Sequence, residues 1–144
     1  MLPEAIELQI VTPERHVLQE TVQTVEIPGK EGYLGILPGH APLITELGVG
    51  ILAYRKGSES RYVTIIHGFA EVLPDRVIVL AEISERAEEI DTARTKAAHD
   101  RAQAELAKAG VGSDEWERQK LALERALVRM QAMGKAGGSG DAHG

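Results

Sequence analysis

The chain has 144 residues, a formal charge of −6 at neutral pH, 3% aromatic residues and no cysteine. That balance excludes disulfide scaffolds, zinc–thiolate centres and cysteine nucleophiles, and it argues against a nucleic-acid surface, which needs basic groups and stacking rings. The longest aliphatic run, Val77-Ile78-Val79-Leu80-Ala81, is far too short to span a membrane, and the first residues carry neither a basic region nor an apolar leader core. The expectation is a soluble chain of a reducing compartment, with no direct membrane insertion.

In chain order, Ile6, Leu8 and Ile10 alternate with Glu7 and Gln9, the pattern of a strand with one wet face. Val25 and Ile27 alternate with Thr24 and Glu26 up to Pro28, and Gly29-Lys30-Glu31-Gly32 reads as a turn. Residues 51–56 and 62–66 around Gly57-Ser58 read as a hairpin. Residues 69–73 and 76–81 around Pro74-Asp75 read as another. The composition then changes. Residues 1–82 hold 23 β-branched side chains and all six prolines, whereas residues 83–133 hold six β-branched side chains and eleven alanines. β-Branched residues favour a pleated sheet and alanine favours helix. The fold class is therefore α+β: an N-terminal antiparallel β-sandwich or flattened barrel followed by a C-terminal antiparallel two-helix hairpin.

Helices are expected at about 91–109 and 114–133. Asp91 caps the first, Gly110-Val111-Gly112 stops it, Ser113 caps the second and Gly134 ends it. Trp116, Leu123, Leu127 and Met130 form the apolar stripe of the second helix. Alanine-rich faces approach closely but bury little area, so the hairpin should dock weakly and be able to leave the sheet. The boundaries follow as 1–84 for the sandwich, 85–133 for the hairpin and 134–144 for a flexible glycine-rich tail.

Catalytic chemistry is scarce. His16, His40, His67, His99 and His143 are scattered without metal-site spacing, and no serine lies in a nucleophile elbow. His40 stands in the rigid corner Pro38-Gly39-His40-Ala41-Pro42, where a contact role suits it better than catalysis. Gly48-Val49-Gly50 precedes a strand-like run and is no dinucleotide fingerprint. Glu88, Glu89 and Asp91 read as a solvated helix start. No metal site is expected. One cluster has more to offer: Arg94 and Arg101 share a face of the first helix, and Arg125 and Arg129 are four apart on the second. In an antiparallel hairpin all four could face one polar groove beside Glu85 and Asp91. Guanidinium groups suit phosphates, and the carboxylates suit amino or hydroxyl donors. On residue types alone, solvated salt bridges, with Glu124 for example, are the more ordinary reading of the same residues.

The segment Gly32-Tyr33-Leu34-Gly35-Ile36-Leu37-Pro38-Gly39-His40-Ala41-Pro42-Leu43 resembles the hallmark loop of the epsilon subunits of bacterial F-type ATP synthases. His67-Gly68-Phe69-Ala70-Glu71-Val72 is similar to that family's Gly-Gly-Phe-x-Glu-Val strand, with His67 in place of the first glycine. Ile90-Asp91-Thr92-Ala93-Arg94-Thr95 is similar to its nucleotide motif, with Thr95 in place of alanine. The match runs in order over residues 4–133.

The resemblance implies a non-catalytic central-stalk subunit of the rotor that couples the gamma subunit to the c ring in proton-driven ATP synthesis. It implies a peripheral position at the cytoplasmic face of the bacterial plasma membrane. It also implies regulation: the hairpin lies folded on the sandwich, or extends into the alpha/beta catalytic head and blocks hydrolysis. No cofactor is required. ATP enters as a regulatory ligand, with the family's contacts falling on Glu85, Asp91, Arg94, Arg101, Arg125 and Arg129. The corner 30–42, with Glu31, Tyr33 and His40, is the implied c-ring contact. Arg118, Lys120, Arg125 and Arg129 would meet acidic surfaces of the head. Without the resemblance, a general adaptor for a helical partner and a small-ligand enzyme both stay open.

Overall fold

The computed structural model describes residues 3–138. Seven strands form one sheet that folds over on itself: β1 (Ile6–Val11), β2 (His16–Val22), β3 (Thr24–Gly29), β4 (Gly32–Ile36), β5 (Leu43–Lys56), β6 (Glu59–Leu73) and β7 (Arg76–Arg86). Their order across the sheet is β2-β1-β7-β6-β5-β3-β4. Every pairing is antiparallel except that of β1 with β7, which runs parallel with Leu8 opposite Val77 and Ile10 opposite Val79. The expectation of antiparallel pairing therefore needs correction at one ladder. Alternation assigns the faces of β1 but not the direction of its neighbour.

The turns fall where their residues require. Lys30-Glu31 joins β3 to β4, with Gly32 at φ 137° closing the turn. Gly57-Ser58 joins β5 to β6, and Pro74-Asp75 joins β6 to β7. The two stretches expected as separate strands at 62–66 and 69–73 are one strand, β6. It bends at His67 (φ 57°) and Gly68 (φ 140°) while the ladder to β5 keeps its register.

The main core lies between the two halves of the folded sheet. Ile6, Leu8, Ile10, Leu52, Ile65, Val72 and Val77 are fully buried there. On the open side, where β2 and β5 are not joined by a ladder, side chains bridge the gap. The Tyr54 hydroxyl donates to Glu20 at 2.7 Å and the Lys56 ammonium donates to the same carboxylate at 2.8 Å.

A 3₁₀ turn (Ala87–Glu89) leads into α1 (Thr92–Lys108) and α2 (Asp114–Gly138). The Asp91 carboxylate accepts from the Arg94 amide at 2.9 Å, and the Ser113 hydroxyl accepts from the Trp116 amide at 3.1 Å, so both expected caps are in place. α2 does not stop at Gly134. The helix passes through it to Gly138, because an interior glycine costs only about 1 kcal/mol relative to alanine and Ala132 and Ala136 carry the packing on either side. The part of the tail beyond this point, residues 139–144, lies outside the described residues.

α2 lies on the outer face of β5 and β6. Val128 and Ala132 pack with Ile51, Ile66 and Ala87 in a second, smaller core, flanked by Val49, Tyr62, Ile83, Ile90 and Ala136. The contact face of α2 is thus Val128 and Ala132, and the leucine stripe is largely outside it: Leu127 is 43% and Met130 37% exposed. α1 packs chiefly against α2 and carries only two buried residues, Thr95 and Ala102.

Candidate functional site

A cavity of about 430 Å³ opens between the hairpin and the end of β7. β7 contributes Glu85, the 3₁₀ turn Glu89, the cap Asp91, α1 Arg94 and Arg101, and α2 Arg129. Five of the six residues expected at the groove therefore meet in one place. Arg125 does not line it: it is half-buried one helical turn before Arg129.

The charges around the cavity are not equally committed. Arg129 donates from Nε to Glu85, joining α2 to β7. Glu85 is held in turn through its backbone, whose N–H donates to the buried Thr64 hydroxyl at 3.0 Å. Glu89 accepts from both Arg15 and Arg86, and Asp91 is occupied as the helix cap. Among the described residues, the guanidinium groups of Arg94 and Arg101 have no ion-pair or hydrogen-bond partner. The cavity thus presents two uncommitted cations, both on exposed residues, while Glu85 and Glu89 are paired with other guanidinium groups and Asp91 accepts a backbone amide. Such a wall attracts a phosphate-bearing anion, and solvent screening keeps the attraction modest. Thr95, only 6% exposed, lies beside them in the cavity wall.

The sequence treated Glu88, Glu89 and Asp91 alike, as a solvated helix start. Their environments differ. Glu88 is exposed with Arg61 at 3.9 Å, Asp91 is the cap, and Glu89 is a hub. Burial acts to raise the Glu89 carboxyl, and the hydrogen bonds from Arg15 and the Arg86 amide outweigh it, holding the group below its ordinary range. Its partner Arg15 lies 74 residues away in the chain, so no local spacing could have announced it.

The corner 30–42 is tied to the sheet at two points. The Lys30 amide donates to the Glu46 carbonyl at 2.8 Å and the Gly39 amide to the Pro74 carbonyl at 2.7 Å. Glu31 is exposed at the turn, and His40 Nδ1 donates to the Ala41 carbonyl at 2.7 Å. Tyr33 is 54% exposed, yet its hydroxyl accepts from the Ile51 amide at 3.0 Å. That bond falls where the β3–β5 ladder breaks register, so Tyr33 braces the sheet with its oxygen while its ring stays outside. A Cβ on Gly50 would lie 2.5 Å from that oxygen, which is why the position is glycine. On α2, Arg118 pairs with Glu115 at 2.6 Å and Lys120 stands 5.1 Å from the centre of the Trp116 ring. No helix among the described residues is long and apolar enough to cross a membrane, and no group of three His, Asp or Glu residues there could hold a metal ion.

Two family models account for this arrangement. Residues 5–87 match the β-sandwich domain of the ATP synthase delta/epsilon chain, and residues 88–134 match its long α-helix domain. An ATP synthase epsilon chain of Syntrophobacter fumaroxidans is 47% identical over 134 residues, 93% of this chain and 99% of the relative. One from Solibacter usitatus is 49% identical over 113 residues, 78% of this chain and 84% of the relative. Among solved structures, a chain of the Euglena gracilis mitochondrial ATP synthase superposes with a TM-score of 0.77 at 26% identity, covering 92% of this chain and 84% of that one. A chain from the Tetrahymena thermophila mitochondrial central stalk and c-ring structure shares the fold, with a TM-score of 0.59 at 12% identity, covering 92% of this chain and 99% of that one. The chain belongs to the ATP synthase delta/epsilon chain family and is of its epsilon type, a non-catalytic subunit of the central stalk.

Proposed function

We propose that this chain works in a bacterial enzyme, at the cytoplasmic face of the plasma membrane, as the joint between the gamma subunit and the c ring. Its hairpin acts there as a nucleotide-sensitive brake on ATP hydrolysis. The observation that carries the regulatory part is the cavity under the docked hairpin, with Arg94 and Arg101 uncommitted among the described residues and Arg129 paired with Glu85. ATP is the ligand that chemistry favours: its phosphates suit Arg94, Arg101 and, after exchange of partners, Arg129. Glu85 and Asp91 would then serve the sugar or base end. Arg125 stands close enough in sequence to join once the hairpin adjusts around a ligand, as the family's contacts imply.

The cavity exists only while the hairpin is docked, because its walls come from β7, α1 and α2 together. A ligand bound there stabilises the docked state by its own binding free energy and so relieves inhibition. In the extended state Arg118, Lys120, Arg125 and Arg129 become available for acidic surfaces of the alpha/beta head. Arg129 cannot serve both states at once, which makes the two exclusive. Glu31, the exposed ring of Tyr33 and His40 form the side that meets the polar loops of the c ring.

Calorimetry of ATP on the full chain tests the site, with Arg94→Ala and Arg101→Ala as controls. Binding that both substitutions weaken supports the reading, and absence of heat at millimolar ATP rejects it. Truncation after Ile90 should raise ATP hydrolysis by the assembled enzyme without loss of assembly, and unchanged hydrolysis rejects the brake. Cysteines at Tyr33 and His40 should crosslink to c-subunit loops in preference to cysteines at the opposite end of the sandwich.

A further inference from the structure

The segment between the sandwich and α1 is short, and one carboxylate organises it. Glu89 accepts from Arg15 Nη1 at 3.3 Å and also from Arg15 Nη2, a two-pronged contact of guanidinium with carboxylate. The same carboxylate accepts from the Arg86 amide at 2.9 Å, which closes the 3₁₀ turn, and from Arg86 Nη2 at 3.5 Å. Arg15 is itself held in place. It ends a tight turn in which the Thr12 amide donates to the Arg15 carbonyl at 2.9 Å and the Thr12 hydroxyl accepts from the Arg15 amide at 3.3 Å. Below the turn, Ala87 is 5% exposed against Ile51 and Ile66. Beyond it the character changes. Ile90 and Asp91 are extended, with φ near −80°, and α1 packs chiefly on α2 rather than on the sheet.

We infer that Arg15 is a positioning residue that acts through Glu89 to clasp residues 86–89 to the sandwich, so that the hairpin hinges after the clasp, at Ile90–Asp91. This rests on the movable hairpin proposed above. The clasp has a second effect. Glu89 lines the same cavity as Arg94 and Arg101, and Arg15 neutralises it from outside the cavity, leaving the two cations unopposed by that anion. A residue of the β1–β2 turn thereby sets both where the hairpin bends and the charge of the pocket beneath it.

Amide hydrogen exchange on the full chain, read by NMR without nucleotide, tests the clasp. Arg15→Gln should speed exchange at the Arg86 and Ile90 amides about tenfold, leave core amides such as Ile65 and Val77 unchanged, and be partly rescued by Arg15→Lys. Unchanged exchange at Arg86 and Ile90 overturns the clasp, and so does an equal acceleration in the core. The absence of native cysteine lets spin-label pairs test the hinge. In an Ala132→Glu background, which places a charge in the docking core, labels at Glu14 and Glu88 should keep a narrow distance distribution while labels at Glu14 and Lys108 broaden. Broadening of the first pair overturns the hinge position. A second pair that stays narrow overturns the hinge by removing the motion itself, while the exchange result judges the clasp independently.

Discussion

Val128 is the one buried side chain larger than alanine that α2 places in the docking core, at 3% exposure between Ile51, Ile66, Ala87 and Ala132. Val128→Ala removes two carbons from that contact. At about 0.8 kcal/mol per buried carbon the docked state loses about 1.6 kcal/mol, and any residual cavity adds to it. The local opening constant of the hairpin should therefore rise about 15-fold, by the usual relation of about 1.4 kcal/mol per factor of ten. Native-state hydrogen exchange reads this through fraying of the undocked helix, which is marginally stable on its own: amides of α2 should exchange faster, by up to that factor, while those of Leu52 and Ile65, in the main core, keep their rates. The control is Val77→Ala, in the main core, which should speed exchange in both regions because the hairpin cannot dock on an unfolded sheet. Equal acceleration of α2 and the main core by Val128→Ala would refute the reasoning. It would mean that the two cores open as one unit and that the hairpin has no weak docking of its own.

Three further outcomes follow from local geometry. Gly68→Ala should destabilise the sandwich by about 3 kcal/mol or more in denaturant unfolding, because its Cβ would lie 2.1 Å from the Leu80 carbonyl oxygen at φ 140°. Gly57→Ala, at φ 65° with open space around it, should cost only about 1 kcal/mol. Tyr33→Phe leaves the Ile51 amide without its 3.0 Å acceptor and should cost about 1–2 kcal/mol, so a loss of c-ring crosslinking in that variant must be read against its own melting curve. Glu20, lowered chiefly by the hydrogen bond from Lys56, and Glu89, where Arg15 and Arg86 outweigh the effect of burial, both have folded pKa values below the unfolded value of about 4.5. Their contribution is present in full above that value and is lost as the pH falls through and below it. The protection factor at the Arg86 amide, which divides out the intrinsic slowing of exchange in acid, should therefore fall on acidification below about pH 4.5, and Arg15→Gln should flatten that response.

Much of this molecule is legible along the chain because its signals are local. The shift from β-branched residues to alanine marks where the sheet ends. Asp91 and Ser113 start both helices within three residues of the amides they cap, and Lys30-Glu31, Gly57-Ser58 and Pro74-Asp75 are all observed as two-residue turns. The family motifs are contiguous strings and need no tertiary information. The groove was partly legible as well, since Arg94 and Arg101 share a helix face by spacing alone.

What only the tertiary structure decided concerns relations between elements. A period of two states which face of β1 is apolar but not that β7 lies beside it in parallel. A period of 3.6 groups Trp116, Leu123, Leu127 and Met130, yet Val128 and Ala132 make the contact, because the sheet selects small residues that let the helix axis approach. Arg125 and Arg129 have the same spacing logic, and the rotation of α2 on the sheet turns only Arg129 towards Glu85. Gly134 carries the weight of a stop signal on paper, and packing by its neighbours overrides its small intrinsic cost. The Arg15–Glu89 contact joins residues 74 apart, and it depends on the pairing of β1 with β7, which brings the β1–β2 turn to the start of the hairpin. Periodicity reports the environment of a residue; the identity of its partner is set by how the sheet closes.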